Sequence, residues 1–292
     1  MRKIILLLLA LGIAPNFETA FAKDSGLTPA DLVAKHLASI GSPEAIAAVK
    51  SRVAEGKIHF SFQSQSAAED GKQTFASQED KVHFYVALPN PNYRGERFVS
   101  DGSKISVADI KPGIRSSLGE FIHVQDRIIR DGLWGGALST NWALLSVDRR
   151  HPKLTYEGLK KVDGRELHEL RYSPAKRSDL QISLYFDQES FHHVMSVYSL
   201  TISPQIGTSD IATARQNETT YRLEERFGNF KTFDNLTLPT QWEVRFTEDI
   251  PVDASGPSPA GLFGRSSTKI WTITEDAIIN NVSLDPRNFA VK

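Results

Sequence analysis

Residues 87–110 read ALPNPNYRGERFVSDGSKISVADI. Pro89 and Pro91 lack a backbone N–H, so they end a strand and turn the chain at a Pro-Asn-Pro-Asn corner. A short strand carrying Arg94 and Arg97 follows. Val99-Ser100-Asp101-Gly102 comes next, with an Asp-Gly pair that supplies the positive φ of a tight hairpin, and then a second strand ending near Asp109. The stretch is therefore β structure joined by turns, and its neighbours decide what kind of sheet it belongs to.

Upstream, the period is two. Ile58, Phe60 and Phe62 alternate with Lys57, His59 and Ser61. After an expected turn at Glu69-Asp70-Gly71-Lys72, Val82, Phe84, Val86 and Leu88 alternate with Lys81, His83 and Tyr85. Each strand thus has one apolar, often aromatic face and one wet face. Downstream the same signature recurs in Leu154 to Tyr172, where Val162-Asp163-Gly164-Arg165 turns the chain, and in Ile182, Leu184 and Phe186. It returns in Val194 to Ile202, Thr220 to Phe227, Trp242 to Phe246, and Trp271 with Ile273. Roughly nine to eleven antiparallel strands at hairpin spacing point to a curved sheet or barrel rather than βαβ units.

Two segments depart from this period. Thr28-Pro29 forms an N-cap with Pro at the first helical position, and Leu32, Val33, His36, Leu37 and Ile40 recur at helical spacing. Ser42-Pro43-Glu44 starts a second short helix. Residues 114–147 hold Leu118, Phe121, Ile122, Ile128, Ile129, Trp134 and Trp142 without alternation, with helical spacing in 117–130. A central helical insertion this apolar is expected to cover one side of the sheet. Residues 204–217 and 251–267 are rich in Pro, Gly, Ser and Ala and read as mobile hairpin tips.

Met1-Arg2-Lys3, the apolar run from Ile4 to Ala14, and Ala20-Phe21-Ala22 ahead of Lys23 form the three parts of a secretory signal peptide. Cleavage after Ala22 is expected, leaving residues 23–292 as one domain in the periplasm. The apolar run is short of the ~20 residues that span a bilayer, so no stable membrane insertion is expected. There is no cysteine, which removes disulfides, thiolate nucleophiles and thiolate metal sites. The 34 basic and 35 acidic residues leave a formal charge of -1, so no overall field attracts nucleic acid.

The motifs of serine hydrolases, P-loop proteins, dinucleotide-binding folds and zinc proteases are missing from the sequence. His192 and His193 are strand neighbours that point to opposite faces, and His59 and His83 lack a third ligand, so no metal is assigned. The pairs Glu69-Asp70, Glu79-Asp80 and Glu224-Glu225 read as solvated turn and strand charges rather than as paired catalytic acids. No catalytic residue and no cofactor is assigned, and the protein reads as a non-enzyme.

Leu88-Pro89-Asn90, an Arg-bearing strand, Val-Ser-Asp-Gly and a second strand together resemble the hairpin of the periplasmic lipoprotein carriers, the Lol-type outer-membrane lipoprotein-sorting superfamily. Leu180 to Phe191 resembles that family's strand-Asp-turn element, and the order of elements along the chain is similar. Leu88 stands where carriers have Arg before Pro-Asn. The resemblance implies a mainly β (α+β) fold, an unclosed antiparallel half-barrel, with an N-terminal helix and the central insertion covering its concave face. It also implies an apolar cavity for lipid or lipoprotein acyl chains. The expected lining is Ile58, Phe60, Phe62, Val82, Phe84, Val86, Leu184 and Phe186 from the strands, with Leu118, Phe121 and Trp134 from the cover. The protein is expected to act as a monomeric carrier or chaperone of acylated cargo. The alternative is an envelope sensor or scaffold that meets a protein partner through 204–217 and 251–267.

Overall fold

The computed structural model describes residues 26–63, 68–109, 115–176, 178–203, 218–250 and 265–291. The expected signal segment, the loop 204–217 and the stretch 251–264 lie outside the described residues. Residues 265–267, expected in that second loop, instead open the last strand.

Two helices come first, α1 (Pro29–Ile40) and α2 (Pro43–Ala48). Thr28 caps α1 in a reciprocal box: its hydroxyl accepts from the Asp31 amide while Asp31 accepts from the Thr28 amide. Five strands follow: β1 (Ser51–Phe62), β2 (Ala68–Gln78), β3 (Lys81–Ala87), β4 (Glu96–Ser100) and β5 (Ile105–Asp109). The insertion carries α3 (Ser117–Val124), α4 (Arg127–Arg130) and α5 (Val147–Arg150), with 3₁₀ turns at Gly136–Leu138 and Ala143–Ser146. Seven more strands complete the chain: β6 (Lys153–Val162), β7 (Arg165–Ser173), β8 (Gln181–Asp187), β9 (His193–Ile202), β10 (Thr219–Phe233), β11 (Leu236–Ile250) and β12 (Arg265–Asn280).

Among the described residues all twelve strands belong to one antiparallel sheet, ordered β5-β4-β3-β2-β1-β12-β11-β10-β9-β8-β7-β6. The outermost strands, β5 and β6, do not pair, so the sheet is an unclosed half-barrel. Those edge strands are consecutive in the chain, and the insertion that joins them must travel from one edge of the sheet to the other. It does so across the concave face, which is why the cover lies where it does.

The opening hairpin is β4 and β5, paired from Glu96↔Asp109 to Ser100↔Ile105. Asp101 Oδ1 accepts from the Ser103 and Lys104 amides at 2.8 and 2.7 Å, and Gly102 takes φ 92°, so the turn is built as the Asp-Gly pair requires. Arg94, expected on this strand, lies just before it, where its carbonyl accepts from the Leu88 amide.

The sheet exceeds the expected strand count because of β2. Residues 69–72, expected to turn, run straight through that strand, with Glu69 opposite Phe60 and Gly71 opposite Ile58. The turn signal was misleading because Asp70 and Lys72 fall on the outer face, where His59 and Asp70 pair at 2.7 Å, while Glu69, on the inner face, accepts from the Asn90 side-chain amide at 3.0 Å.

Period-two burial is clear on β3 and β8. Val82, Phe84 and Val86 on β3 and Ile182, Leu184 and Phe186 on β8 are buried, while their sequence neighbours are half-buried or exposed. The inward side chains meet the insertion in a continuous aromatic core. Trp134 lies 5.4 Å from Trp242 and 6.0 Å from Phe84, ring centre to ring centre, and stacks on Phe98 at 5.9 Å.

Candidate functional site

What the concave face can hold depends on how firmly its cover is fixed. Four of the polar contacts that bind the stretch Leu133–Trp142 to its surroundings involve side chains of the sheet or of α1. Arg52 on β1, only 3% exposed, donates to the carbonyls of Ala137 and Leu138 at 2.7 and 3.2 Å. Burial lowers its pKa to about 10, which still leaves it charged. Trp142 Nε1 donates to His36 Nε2 at 2.9 Å, and His36 Nδ1 donates to the Phe191 carbonyl at 3.1 Å. That geometry fixes His36 as a neutral tautomer, and burial accordingly lowers its pKa to about 4. The Thr140 amide donates to Ser77 Oγ at 3.0 Å.

The fourth contact corrects a sequence expectation. Glu225, expected as a solvated strand charge, is fully buried, whereas Glu224 faces outward and pairs with Arg222 and Arg226. Alternation with Leu223 and Phe227 places Glu225 on the inner face. Its carboxyl accepts the Gly135 amide at 2.8 Å and lies 2.8 Å from the Tyr198 hydroxyl, which in turn reaches the Leu133 carbonyl at 3.2 Å. Burial pushes its pKa up to about 8, so it is mostly protonated at neutral pH. A protonated Glu225 can donate to Tyr198 while Tyr198 donates to Leu133, which satisfies every partner at once.

The strand positions expected to line a cavity therefore face inward but meet solid packing. Ile58, Phe60, Val82, Phe84, Val86, Leu118, Trp134, Leu184 and Phe186 are all buried in the core, and Phe62 packs against it partly buried. Phe84, Val86, Leu118 and Trp134 line a void of about 10 Å³, room for one water at most. Phe186 meets α1, its ring 4.9 Å from that of His36.

Open space begins at one end of the concave face. There a cleft of about 700 Å³ lies between α3 and the inner face of the sheet. Its apolar lining includes Val107, Phe121, Val124, Leu200, Ile202 and Tyr221. Phe121 is the one expected cavity residue brought to it. The Phe121 ring lies 5.2 Å from Phe246 and 5.9 Å from Tyr221, which fixes it as the wall between cleft and core. Val124 and Ile202 are 64% and 49% exposed. These are two of the four large apolar side chains exposed among the described residues, and both belong to this cleft. A second groove of similar volume, between α1 and residues 144–154, has none of the four.

The wall α3 is held at its first turn. Ser116 caps it by accepting from the Gly119 amide, and buried Glu96 on β4 accepts the Ser116 amide at 2.7 Å and its hydroxyl at 2.6 Å. Gly119 leaves room for that carboxylate, since a Cβ there would sit 2.1 Å from Glu96 Oε1. Two cations stand at the cleft. Arg115 donates to the Val107 carbonyl at 2.9 Å and to Glu120 at 3.0 Å, while Lys269 pairs with Glu248 at 3.3 Å and contacts Ser117 Oγ.

Sequence reasoning missed Leu200, Ile202, Tyr221 and Glu248. Counting by twos outward from Tyr198, Leu223 and Phe246 would have placed all four on the inner face, at the ends of strands that run into the two long loops. Among the described residues no cluster of three or more potential metal ligands is present, and no helix is long and apolar enough to cross a membrane.

No protein-family model and no curated protein matches the sequence. Solved structures do. A LolA superfamily protein from Nitrosomonas europaea is 14% identical, with 91% of this chain and 98% of that one covered at a TM-score of 0.45. A domain provisionally described as an outer membrane lipoprotein-sorting protein, from Vibrio parahaemolyticus, is 10% identical over 89% and 94% at 0.44. A DUF1329 family protein from Desulfovibrio piger is also 10% identical, over 90% and 98% at 0.43.

Proposed function

We propose that the protein is a non-enzymatic periplasmic carrier that holds an acyl chain of a lipid or lipoprotein in the cleft between α3 and strands β5 and β9–β11, after removal of residues 1–22. The observation that carries this reading is the apolar cleft of about 700 Å³ at the open end of the half-barrel, with Val124 and Ile202 exposed at its rim. Its volume falls in the ~300–1,000 Å³ range of ligand pockets. Burial supplies the affinity at ~0.8 kcal/mol per methylene, so ten methylenes give ~8 kcal/mol before the costs of ordering the chain. Phe121 is the first contact. Leu118, Phe84, Val86 and Trp134, which line the small void behind α3, are the next layer for a chain that displaces the helix.

The test is native mass spectrometry of the mature protein purified from a bacterial envelope, followed by extraction of bound lipid. A co-purifying acylated species that is lost in Phe121→Glu supports the reading. A folded wild type that carries nothing and takes up no added acyl probe would overturn it, and would shift attention to protein contacts.

A further inference from the structure

We infer that the cleft selects uncharged acyl esters or amides over free fatty-acid anions, with Glu120 and Glu248 as the specificity-determining residues. The inference rests on the acyl reading of the cleft and adds the chemistry of the ligand's head.

Charge at the cleft is already balanced from within. The ionisable groups lining it are Arg115, Glu120 and Glu248, and Lys269 stands behind Glu248. Arg115 is engaged twice, by the Val107 carbonyl through Nε and by Glu120 through one terminal nitrogen. Lys269 is engaged by Glu248 and by Ser117 Oγ. Glu248 and Lys269 are only 20% and 21% exposed, so water does little to replace a partner that either of them loses. The pairing is fixed by the sheet: Lys269 stands opposite Phe246, which puts Glu248 on its diagonal, within reach on the same face.

A fatty-acid carboxylate entering this cleft has three options. It can displace Glu248 from Lys269, leaving that acid unpaired beside an apolar wall, displace the 56% exposed Glu120 from Arg115 at the cleft's mouth, or remain unpaired itself. In the first and last cases one carboxylate more than the cations can serve is desolvated, and in the second the ligand head gains only an exposed ion pair of little worth. An ester or amide head brings no charge and asks only for hydrogen-bond donors. Ser117 still has its hydroxyl hydrogen, Gln125 has its side-chain amide, and both line the cleft. The two glutamates therefore act as built-in occupants of the positions a free acid would need. Discrimination of at least ~10-fold is expected, because a half-buried unpaired charge is the difference between the two ligands.

The experiment is competition on the full mature protein at neutral pH, using a fluorescent glycerol-ester acyl probe displaced by hexadecanoate or by its glycerol monoester. The wild type should prefer the monoester by tenfold or more. Glu120→Gln and the double variant with Glu248→Gln, which free Arg115 and Lys269, should narrow or invert that preference. Equal displacement by acid and ester in the wild type overturns the inference, as does an unchanged preference in a folded Glu120→Gln variant. If the probe itself does not bind, the acyl reading fails, and the inference with it. Should the double variant not fold, the exposed Glu120→Gln change alone decides.

Discussion

Replacing Glu225 by glutamine should stabilise the protein above neutral pH and leave it nearly unchanged in mild acid. In the fold this carboxyl is fully buried, and its pKa rises from 4.5 to about 8. Between those values the native state holds a proton that the unfolded chain has released. Stability therefore falls as pH rises through this window and becomes flat above the folded pKa. The slope is about 1.36 kcal/mol per pH unit for one group, so the interval from pH 6.5 to 8 costs about 2 kcal/mol. Glutamine mimics the protonated acid: its amide nitrogen can donate to Tyr198 and its oxygen can accept the Gly135 amide. Urea unfolding followed by tryptophan fluorescence at several pH values measures the difference. Wild type and Glu225→Gln should diverge by about 2 kcal/mol between pH 6.5 and 8, with the variant the more stable at the upper end. Parallel curves would refute the assignment of a buried neutral acid, and a variant destabilised at every pH would show that the carboxylate itself is required.

Three further outcomes are expected. His36 titrates with the opposite sign: its pKa is lowered to about 4, so the unfolded chain takes up the extra proton and about 3 kcal/mol of stability should be lost between pH 6.5 and 4. Because Glu225 gains stability over part of the same interval, the loss is read as the difference between wild type and a folded His36→Gln variant, and a difference that does not change with pH would contradict this. Arg52→Ala leaves the carbonyls of Ala137 and Leu138 without their donor and should cost about 3 kcal/mol in urea unfolding, a loss under 1 kcal/mol being the contrary result. Gly119→Ala places a Cβ against Glu96 and should loosen α3, costing ~1–3 kcal/mol in thermal melts. The opposite finding would be an unchanged melting temperature.

Much of the sheet was legible because its faces differ in kind. Where Val82, Phe84 and Val86 alternate with polar neighbours, period two leaves one possible orientation, and the Asp101-Gly102 turn admits few conformations. The helices were legible from their caps at Thr28 and Ser42. β2 was not, because Glu69-Asp70-Gly71-Lys72 has the composition of a turn and its strand character comes from pairing with β1, a contact between distant residues. The inward position of Glu225 was available by counting from Leu223, but its polarity suggested solvent. The cleft was hidden for a different reason: inward orientation says which side chains face the cover, not where the cover leaves space. That is decided by the path of the insertion, which fills the middle of the concave face with Trp134 and Trp142 and leaves the end beside α3 open.

The order of strands has a consequence for how the chain is made. β12 lies between β1 and β11, so the two ribbons β1–β5 and β6–β11 share no ladder until the last strand is in place. Arg52 and Asn280, hydrogen-bonded across that seam, are 228 residues apart in sequence. Contacts so distant close late and slowly. A chain emerging from its amino end would carry two half-sheets with open inner edges until residues 265–280 arrive, and such edges are templates for pairing with other chains. Loss of the final strand by truncation or proteolysis should therefore yield aggregation rather than a smaller soluble fold, which makes β12 the keystone that converts two sticky ribbons into one shell.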